Sequence, residues 1–393
     1  MVKDVTASIK YIGVDDREKD LFESQYIIPE GVSYNSYLIL DEKTAVMDTV
    51  DATKTDEWLA NLKEALGGRE LDYIVVQHFE PDHSGSFKAA VEAFPNAKVV
   101  GNAKTFTFIP QFFDVDIEDR KVVVKEGDTL ELGTHTLQFF LAAMIHWPEV
   151  MMTYEQSEKI FFSADAFGKF GALDFDDPEG WACEARRYYF GIVGKYGAMV
   201  QGLLKKLAGT EIEKICPLHG PVLPMPGDEL SYYINTYNTW SSYEPETHGV
   251  FVAHASIHGN TAGAAEKLAE MLEAAGEKVA CADLCREDIA ECVEDAFRYD
   301  RVVLCASSYD GGVFLPMHDF LTHLSVKNYQ NRKLFILENG TWGPTAAKTI
   351  KGIVEGWKNV EVLEPVVTIR STVKDSDIEN IKALCDAVVE AGK

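Results

Sequence analysis

After residue 249, strand-like and helix-like stretches alternate regularly, and few folds can accommodate this pattern. The apolar strand-like runs lie at 250–255, 278–284, 301–306, 333–337 and 360–367, and the stretches of helical period lie at 262–275, 288–297, 317–324, 346–357 and 375–391. Five such units, each a strand followed by a helix, predict a doubly wound parallel sheet. Of the two strand orders that are common in such sheets, five strands suit the order 2-1-3-4-5.

In that order strands 1, 3 and 4 are neighbours, so the loops that follow them meet at one crevice. The first loop is Ser256, Ile257, His258, Gly259, Asn260 and Thr261; the second is Ser307, Ser308, Tyr309, Asp310, Gly311 and Gly312; the third is Asn339, Gly340, Thr341, Trp342 and Gly343. Hydroxyls and backbone N–H groups at the start of a helix favour a phosphate, as in the first loop. Tyr309 and Trp342 are suited to border a flat ring. We therefore expect a cofactor at this crevice.

The preceding part of the chain has a larger β component. Short strand-like runs at 34–40, 73–76, 121–124, 136–141, 150–154 and 159–162 are interspersed with helical patterns at 55–65 and 87–93. This predicts a second domain of the α/β or α+β class. A polar stretch with a proline, residues 238–249, separates the two textures and has the composition of a linker. We expect domains at 1–248 and 249–393.

Seven side chains that bind metals well lie in loops that follow strand-like runs, four of them within six residues after 73–76. They are His78, Glu80, Asp82, His83, His146, Asp165 and His219. Burying so many ionisable groups together is unfavourable unless a cation compensates their charge. The pattern therefore predicts a metal site. Its mixture of imidazole and carboxylate suits iron, although rank of affinity alone does not select iron over zinc.

The composition argues against nucleic acid or membrane as a partner. The 393 residues include 63 acidic and 37 basic side chains, a net charge of −26, whereas both partners attract clustered lysine and arginine. The longest apolar run, 139–145, is too short to span a bilayer, and the amino terminus lacks a secretory signal pattern. The seven cysteines form no CxxC pair, and we interpret them as buried thiols of a cytoplasmic protein.

Both halves resemble known folds. The loop Ser-Ile-His-Gly-Asn-Thr at 256–261 resembles the FMN phosphate loop of flavodoxins, which implies that the second and third loops hold the isoalloxazine ring. The HFEPDH segment at 78–83, together with 34–39 and 47–49, resembles the metallo-β-lactamase fold, an αβ/βα sandwich that binds two metals. Hydrolases of that superfamily carry HxHxDH, whereas Glu80 stands here in place of the second histidine.

A glutamate-substituted metal site joined to a flavodoxin resembles the flavodiiron proteins over essentially the whole chain. The ligands that this resemblance implies are His78, Glu80 and His146 for one iron, Asp82 and His219 for the other, and Asp165 as the bridge. His83 is a ligand in some members of the family and turned away in others. Trp147 and Tyr196 are implied to lie near the vacant coordination face.

By this resemblance the protein is an oxidoreductase that reduces dioxygen to water, a reaction that needs four electrons. Two ferrous irons and one reduced FMN hold that number. Reduction of nitric oxide to nitrous oxide is the alternative, because the ligands can be the same for both gases. A dizinc hydrolase tethered to a flavodoxin, and an electron-transfer or binding module with a vestigial metal site, are the other hypotheses.

The resemblance also implies partners. No rubredoxin or flavin-reductase module follows the last helical stretch, so we expect electrons from a separate carrier, of which rubredoxin is the family's. Members of the family form head-to-tail homodimers, or homotetramers built from such dimers, in which the FMN of one subunit lies beside the diiron site of the other.

Overall fold

A computed structural model describes residues 2–175 and 180–393. The chain divides into two compact units, Met1–Asn238 and Thr239–Lys393. The division falls inside the helix Leu230–Ser241, at the amino-terminal edge of the polar stretch 238–249. Within the described ranges, no helix combines the length and the apolar character that crossing a bilayer requires.

The first unit is built from short strands and helices. Its strands are β1 (Lys3–Asp4), β2 (Ile9–Tyr11), β3 (Val14–Asp16), β4 (Leu21–Phe22), β5 (Tyr26–Ile27), β6 (Val32–Tyr34), β7 (Tyr37–Leu40), β8 (Thr44–Met47), β9 (Tyr73–Val75), β10 (Lys98–Asn102), β11 (Lys121–Val124), β12 (Thr129–Glu131), β13 (Thr136–Leu141), β14 (Met151–Glu155), β15 (Ile160–Phe162) and β16 (Lys214–Cys216). Its helices are α1 (Thr55–Leu66), α2 (Pro81–Ser84), α3 (Phe87–Ala93), α4 (Thr105–Phe112), α5 (Trp181–Tyr188), α6 (Gly197–Leu207) and α7 (Leu230–Ser241), the last of which continues into the second unit.

Two mixed sheets form the centre of this unit. One has the order β1-β2-β7-β8-β9-β10-β11 and the other the order β12-β13-β14-β15-β16. Apolar side chains of both sheets, among them Val75, Val100, Phe139 and Phe162, belong to one buried cluster, so the sheets pack face to face. Helices α1 and α4 contact strands β7 and β10, and α6 and α7 line an apolar cavity with β15 and β16. The expected αβ/βα sandwich is confirmed.

The second unit is the doubly wound sheet expected from the alternating pattern. Its strands are β17 (Thr247–Ala255), β18 (Val279–Asp283), β19 (Tyr299–Tyr309), β20 (Gly312–Val313), β21 (Arg332–Asn339), β22 (Val360–Val362) and β23 (Val367–Ile369), and its helices are α8 (Asn260–Ala274), α9 (Ile289–Arg298), α10 (Leu315–Val326), α11 (Ala346–Val354) and α12 (Asp375–Ala391). The parallel order β18-β17-β19-β21-β22 confirms the expected order 2-1-3-4-5.

Two expectations for the second unit were wrong in detail. The fifth strand is not continuous over 360–367 but divides into β22 and β23, because Pro365 between them has no N–H group to donate to the neighbouring strand. The cysteines are all free thiols, but they are not all buried. Cys281 is exposed, since it lies in β18, a strand at the edge of the sheet.

Candidate metal centre and cofactor cavity

The structure brings all seven predicted metal-ligating side chains together at one edge of the first unit. They fall into two groups, and within each group the possible ligand atoms lie within 4.8 Å of one another. The first group is His78, Glu80, His146 and Asp165, and the second is Asp82, His83 and His219. This is the division that the family resemblance implies, with His83 placed in the second group.

Asp165 connects the two groups. Its Oδ2 lies 3.2 Å from Nε2 of His78 and 3.2 Å from Nε2 of His146. Its Oδ1 lies 3.1 Å from Nε2 of His83 and 3.8 Å from Nε2 of His219. One carboxylate therefore presents an oxygen to each group, as a bridging ligand would.

Strand ends and one tight turn position these side chains. His78 follows β9, Asp165 follows β15 and His219 follows β16, so each leaves the carboxyl end of a strand that has a parallel neighbour. Pro81 begins the single helical turn α2, where the fixed φ of proline suits the first helical position. That turn aims Asp82 and His83 at the same point as the strand-end residues.

Asp48, which sequence reasoning did not single out as a site residue, holds this loop. The residue follows β8, and its buried carboxylate accepts hydrogen bonds from the backbone N–H groups of Gln77 (2.7 Å) and His78 (3.2 Å) and from the Gln77 side chain (2.9 Å). From the other side, Thr49 donates two hydrogen bonds to the carbonyl oxygen of His83. The loop is therefore fixed independently of any bound ion.

Several ligand atoms in the cluster are buried and have no hydrogen-bond partner among the described residues. They are both carboxylate oxygens of Asp82, Oδ2 of Asp165 and Nε2 of His219. His219 Nε2 and Asp82 Oδ2 approach to 3.2 Å without the geometry of a hydrogen bond. Since buried polar atoms are otherwise almost always satisfied, this arrangement fits atoms that converge on a cation.

The close packing of imidazoles and carboxylates in the cluster shifts their pKa values. Burial alone would lower the pKa of His78, but the Asp165 carboxylate raises it well above its ordinary value. Burial likewise opposes charge on His146, whose pKa is nonetheless raised to about 9 by Asp165 and Glu80. Burial would raise the pKa of Asp165, yet His78 and His83 hold it far below its usual range. In the absence of metal, the imidazoles and carboxylates neutralise one another.

Aromatic side chains pack against both ligand groups of the cluster. The ring of Trp147 lies 5.4 Å from that of His78 and 6.3 Å from that of His146, so it packs against the first group. Tyr196 is partly exposed, and in the described part of the chain it makes no hydrogen bond or ring contact with any of the seven. Tyr188 and Phe22 instead lie 5.5 and 5.3 Å from the ring of His219.

The second unit contains a cavity of about 490 Å³ at the crevice between its first, second and third loops. All the residues expected to bind the cofactor line it except Gly259 and Gly312. Its volume lies within the range of small-molecule cofactor sites. Trp342 is 93% exposed and Tyr309 41% exposed, so both rings have a face free to contact a ligand.

Hydroxyl groups connect the loops around this cavity. Thr261 and Ser307 share a hydrogen bond of 2.8 Å between the first and second loops. Oγ of Ser308 accepts hydrogen bonds from the N–H groups of Thr345 and Ala346, at the start of α11. Oγ of Ser256 is buried and has no partner among the described residues. Helix α8 begins four residues later, at Asn260, and no side chain caps its first turn. These groups fit a bound phosphate.

Sequence reasoning missed a fourth segment of the cavity wall. Ser371, after β23, lines the cavity together with Thr345. Ser371 has a φ of +67° and is held by Asn339, which accepts from its N–H and donates to its carbonyl oxygen, each at 2.9 Å. Its hydroxyl also lies 2.7 Å from that of Thr341. A positive φ is uncommon in a residue other than glycine and marks a special position, but it is visible only in the structure and not in the sequence.

Comparisons with known proteins agree with this arrangement. A family model described as ODP family beta lactamase matches residues 32–220, the segment that contains all seven clustered side chains. The rubredoxin-oxygen oxidoreductase of Megalodesulfovibrio gigas is 27% identical over 97% of this chain and 96% of its own length. The nitric oxide reductase of Moorella thermoacetica is 27% identical over 95% of each chain. The flavodiiron protein of Giardia intestinalis shares the fold, with a TM-score of 0.92 at 22% identity over 100% of this chain and 97% of that one.

Proposed function

Because the chain belongs to the flavodiiron protein family, we propose that it reduces dioxygen to water, with reduction of nitric oxide to nitrous oxide as the alternative activity of the same site. The observation that carries this proposal is the pair of ligand groups that share Asp165. Glu80 supports iron over the zinc of the related hydrolases, because a carboxylate is a harder ligand than the histidine it replaces.

Two sets of residues would hold two irons. His78, Glu80 and His146 would hold one ion and Asp82, His83 and His219 the other, and Asp165, which faces both groups, would be shared between them. When bound, two irons and FMN supply the four electrons that dioxygen reduction requires. The contacts described above orient the ligands before any metal arrives, so little reorganisation is needed on binding.

Aromatic side chains shield the cluster from bulk water. Trp147 covers His78 and His146, whereas Phe22 and Tyr188 cover His219. A small neutral gas needs no wide entrance, and a surrounding of low polarity strengthens the interactions between charged groups inside. Trp147 packs against both histidines of the first ligand group, and its role is to position them and exclude water.

The cavity of the second unit holds FMN in this proposal. The hydroxyl of Ser256 and the N–H groups at the start of α8 bind the phosphate, and Tyr309 and Trp342 border the isoalloxazine ring. The hydrogen bonds among the loops keep the cavity open in advance. Thr345 and Ser371 extend the set of FMN-binding residues beyond the three loops recognised in the sequence.

The partners follow from the relatives. The name of the Megalodesulfovibrio gigas relative specifies rubredoxin as its electron donor, and we extend a rubredoxin-type donor to this chain. We further propose a cytoplasmic homodimer of head-to-tail arrangement, or a tetramer of such dimers, in which the FMN of one subunit serves the metal centre of the other.

The deciding experiment is anaerobic stopped-flow oxidation of the fully reduced protein by dioxygen and by nitric oxide in turn. We expect rapid reoxidation of FMN by at least one gas, in protein that contains two irons and one FMN per chain. Protein prepared with ample iron that contained only zinc, or that lacked flavin absorbance, would overturn the proposal. Hydrolysis of an ester or lactam by that zinc form would identify a hydrolase instead.

A further inference from the structure

We propose that Glu149 is a positioning residue that orients His78 and makes the two iron positions unequal in affinity. The inference rests on the proposed function, because it concerns the ion held by His78, Glu80 and His146. Glu149 lies three residues after His146, and neither its spacing nor its residue type singles it out in the sequence.

The geometry around Glu149 determines which nitrogen of His78 carries the proton. Glu149 is completely buried, and its Oε1 lies 2.8 Å from Nδ1 of His78 and accepts a hydrogen bond of 2.9 Å from the N–H of Phe79. An ionised carboxylate can only accept, so Nδ1 is the donor. In the neutral imidazole that a metal requires, Nε2 would then carry the lone pair, and this nitrogen faces the cluster, where Glu80 Oε2 and Asp165 Oδ2 lie at 3.1 and 3.2 Å.

The second metal group has no comparable support. Nδ1 of His219 donates to the carbonyl oxygen of Ser33 at 2.7 Å, which is a neutral acceptor. Nδ1 of His83 is buried and has no hydrogen-bond partner among the described residues. A carboxylate behind a ligating histidine fixes its tautomer and raises its basicity, which strengthens its bond to a metal. The first position should therefore bind iron more tightly because of Glu149.

The surroundings of Glu149 suit a functional role better than a purely structural one. Asn102 donates a hydrogen bond to the Glu149 carbonyl oxygen and, through its own Oδ1, accepts from the N–H groups of Lys104 and Thr105 at the start of α4. The backbone is thus anchored without the carboxylate. Oε2 of Glu149 is buried and has no partner among the described residues, which is unfavourable for a carboxylate kept only for stability.

The same unit offers a matched control. Glu155 is also completely buried, and its Oε1 lies 3.0 Å from Nδ1 of His135 and accepts from the N–H of Ser157 at 2.9 Å. His135 directs its other nitrogen at the hydroxyl of Ser8, 3.0 Å away, and contacts none of the seven clustered side chains. Glu155→Gln therefore alters an equivalent carboxylate–imidazole pair without touching the metal centre.

The test compares full-length wild type, Glu149→Gln and Glu155→Gln by titrating ferrous iron into the apoprotein against a competing chelator, with FMN content measured in parallel. In wild type and in Glu155→Gln we expect two sites, of which one binds iron more tightly than the other. In Glu149→Gln, one site should weaken about 10- to 100-fold while the other is unchanged, as for second-layer carboxylates of other metal sites. Mössbauer spectra of ⁵⁷Fe-loaded protein should lose or shift one of two components.

Equal affinity of both sites in wild type and Glu149→Gln, or the same loss of iron in Glu155→Gln, would overturn the inference while leaving the proposed function intact. Wild-type protein that binds no iron would overturn the proposed function itself. Glu149→Asp keeps the charge but shortens the side chain, so it should weaken the same single site to a smaller extent. If Glu149→Gln fails to fold, Glu149→Asp decides, because a general loss of stability of the first unit would weaken both iron sites rather than one.

Discussion

The metal centre of the first unit and the cofactor cavity of the second unit differ in the chemical character of the side chains that line them. The metal centre brings together seven ionisable side chains that are buried or nearly so. The cavity is lined mainly by neutral hydroxyl, amide and backbone groups, with His258, Tyr309 and Asp310 as its ionisable members. Buried charge is costly unless compensated, whereas neutral donors and acceptors can satisfy one another.

The difference shows in how each site is held before binding. In the metal centre, imidazoles and carboxylates shift one another's pKa values and leave several ligand atoms unsatisfied. Around the cavity, Ser308, Asn339 and Thr341 hydrogen-bond across loops. Both sites are therefore formed in advance, but the metal centre keeps buried ligand atoms that only a cation would satisfy, whereas most polar groups around the cavity already have partners. Each prediction below tests one side of this contrast.

The largest effect is expected for His146→Asn, which removes one ligand from the first metal group. We expect gas reduction to be abolished while FMN stays bound, because the cavity lies in a unit with its own core. Oxygen and nitric oxide consumption and flavin absorbance measure the two effects. His248→Asn is the control, since that side chain is 90% exposed and pairs with Asp300. Loss of FMN in His146→Asn would show that the two sites are coupled.

A smaller effect is expected for Trp342→Ala at the cavity. The indole is almost fully exposed without a ligand, and stacking on the flavin would bury one of its faces. We expect FMN to bind about tenfold more weakly, which corresponds to about 1.4 kcal/mol, with iron content unchanged. Quenching of FMN fluorescence measures the affinity. Leu315→Ala, which removes another exposed apolar side chain outside the cavity lining, should leave it unchanged.

Ser371→Ala tests whether the fourth segment of the wall is part of the preformed cavity. The substitution removes the hydroxyl that contacts Thr341 but keeps the backbone bonds to Asn339. One hydrogen bond is worth about 1 kcal/mol, so FMN affinity should fall about fivefold. An unchanged dissociation constant would mean that Ser371 borders the cavity without supporting the cofactor.

The last prediction concerns Glu155→Gln, which alters a charged pair outside both ligand sites and should therefore change stability rather than the binding of iron or FMN. Burial opposes the charge of Glu155, but hydrogen bonds from His135 and Ser157 lower its pKa from 4.5 to about 2. The hydrogen bond with Glu155 raises the pKa of His135 above 6.5. The carboxylate therefore stabilises the fold above pH 4.5 and loses this effect as the pH falls towards 2. The protonated side chain of His135 stabilises the fold fully below pH 6.5, and this stabilisation is lost as the pH rises through the raised pKa of His135.

Urea unfolding of wild type and Glu155→Gln between pH 3 and pH 8 measures this contribution. The free energy of unfolding of the variant should be lower by about 1–3 kcal/mol between pH 4.5 and 6.5, and the two proteins should converge on the acid side. A difference that is independent of pH would contradict a charged pair at this position.

Secondary structure and strand order in the second unit were accessible from the sequence because each element carries its own hydrophobic period. The division of the fifth strand at Pro365 was missed because the apolar run continues on both sides of the proline. For the metal centre, the ligands were recognisable because several ionisable groups in strand-end loops have few structural explanations. Their partners Asp48 and Glu149 were not, since a single carboxylate in a sequence is usually a surface group.

The amino-acid sequence by itself predicted a parallel α/β unit, seven side chains of metal-ligating type in strand-end loops, and three loops that meet at one crevice, whereas iron and flavin were implied by the family resemblance. These features depend on residue type and on short spacing along the chain. Only the tertiary structure decided that Asp48 holds the loop of His78, that Tyr188 contacts His219, and that Ser371 joins the cavity wall. These contacts join residues distant in sequence, and packing of complete side chains selects them after local structure has formed.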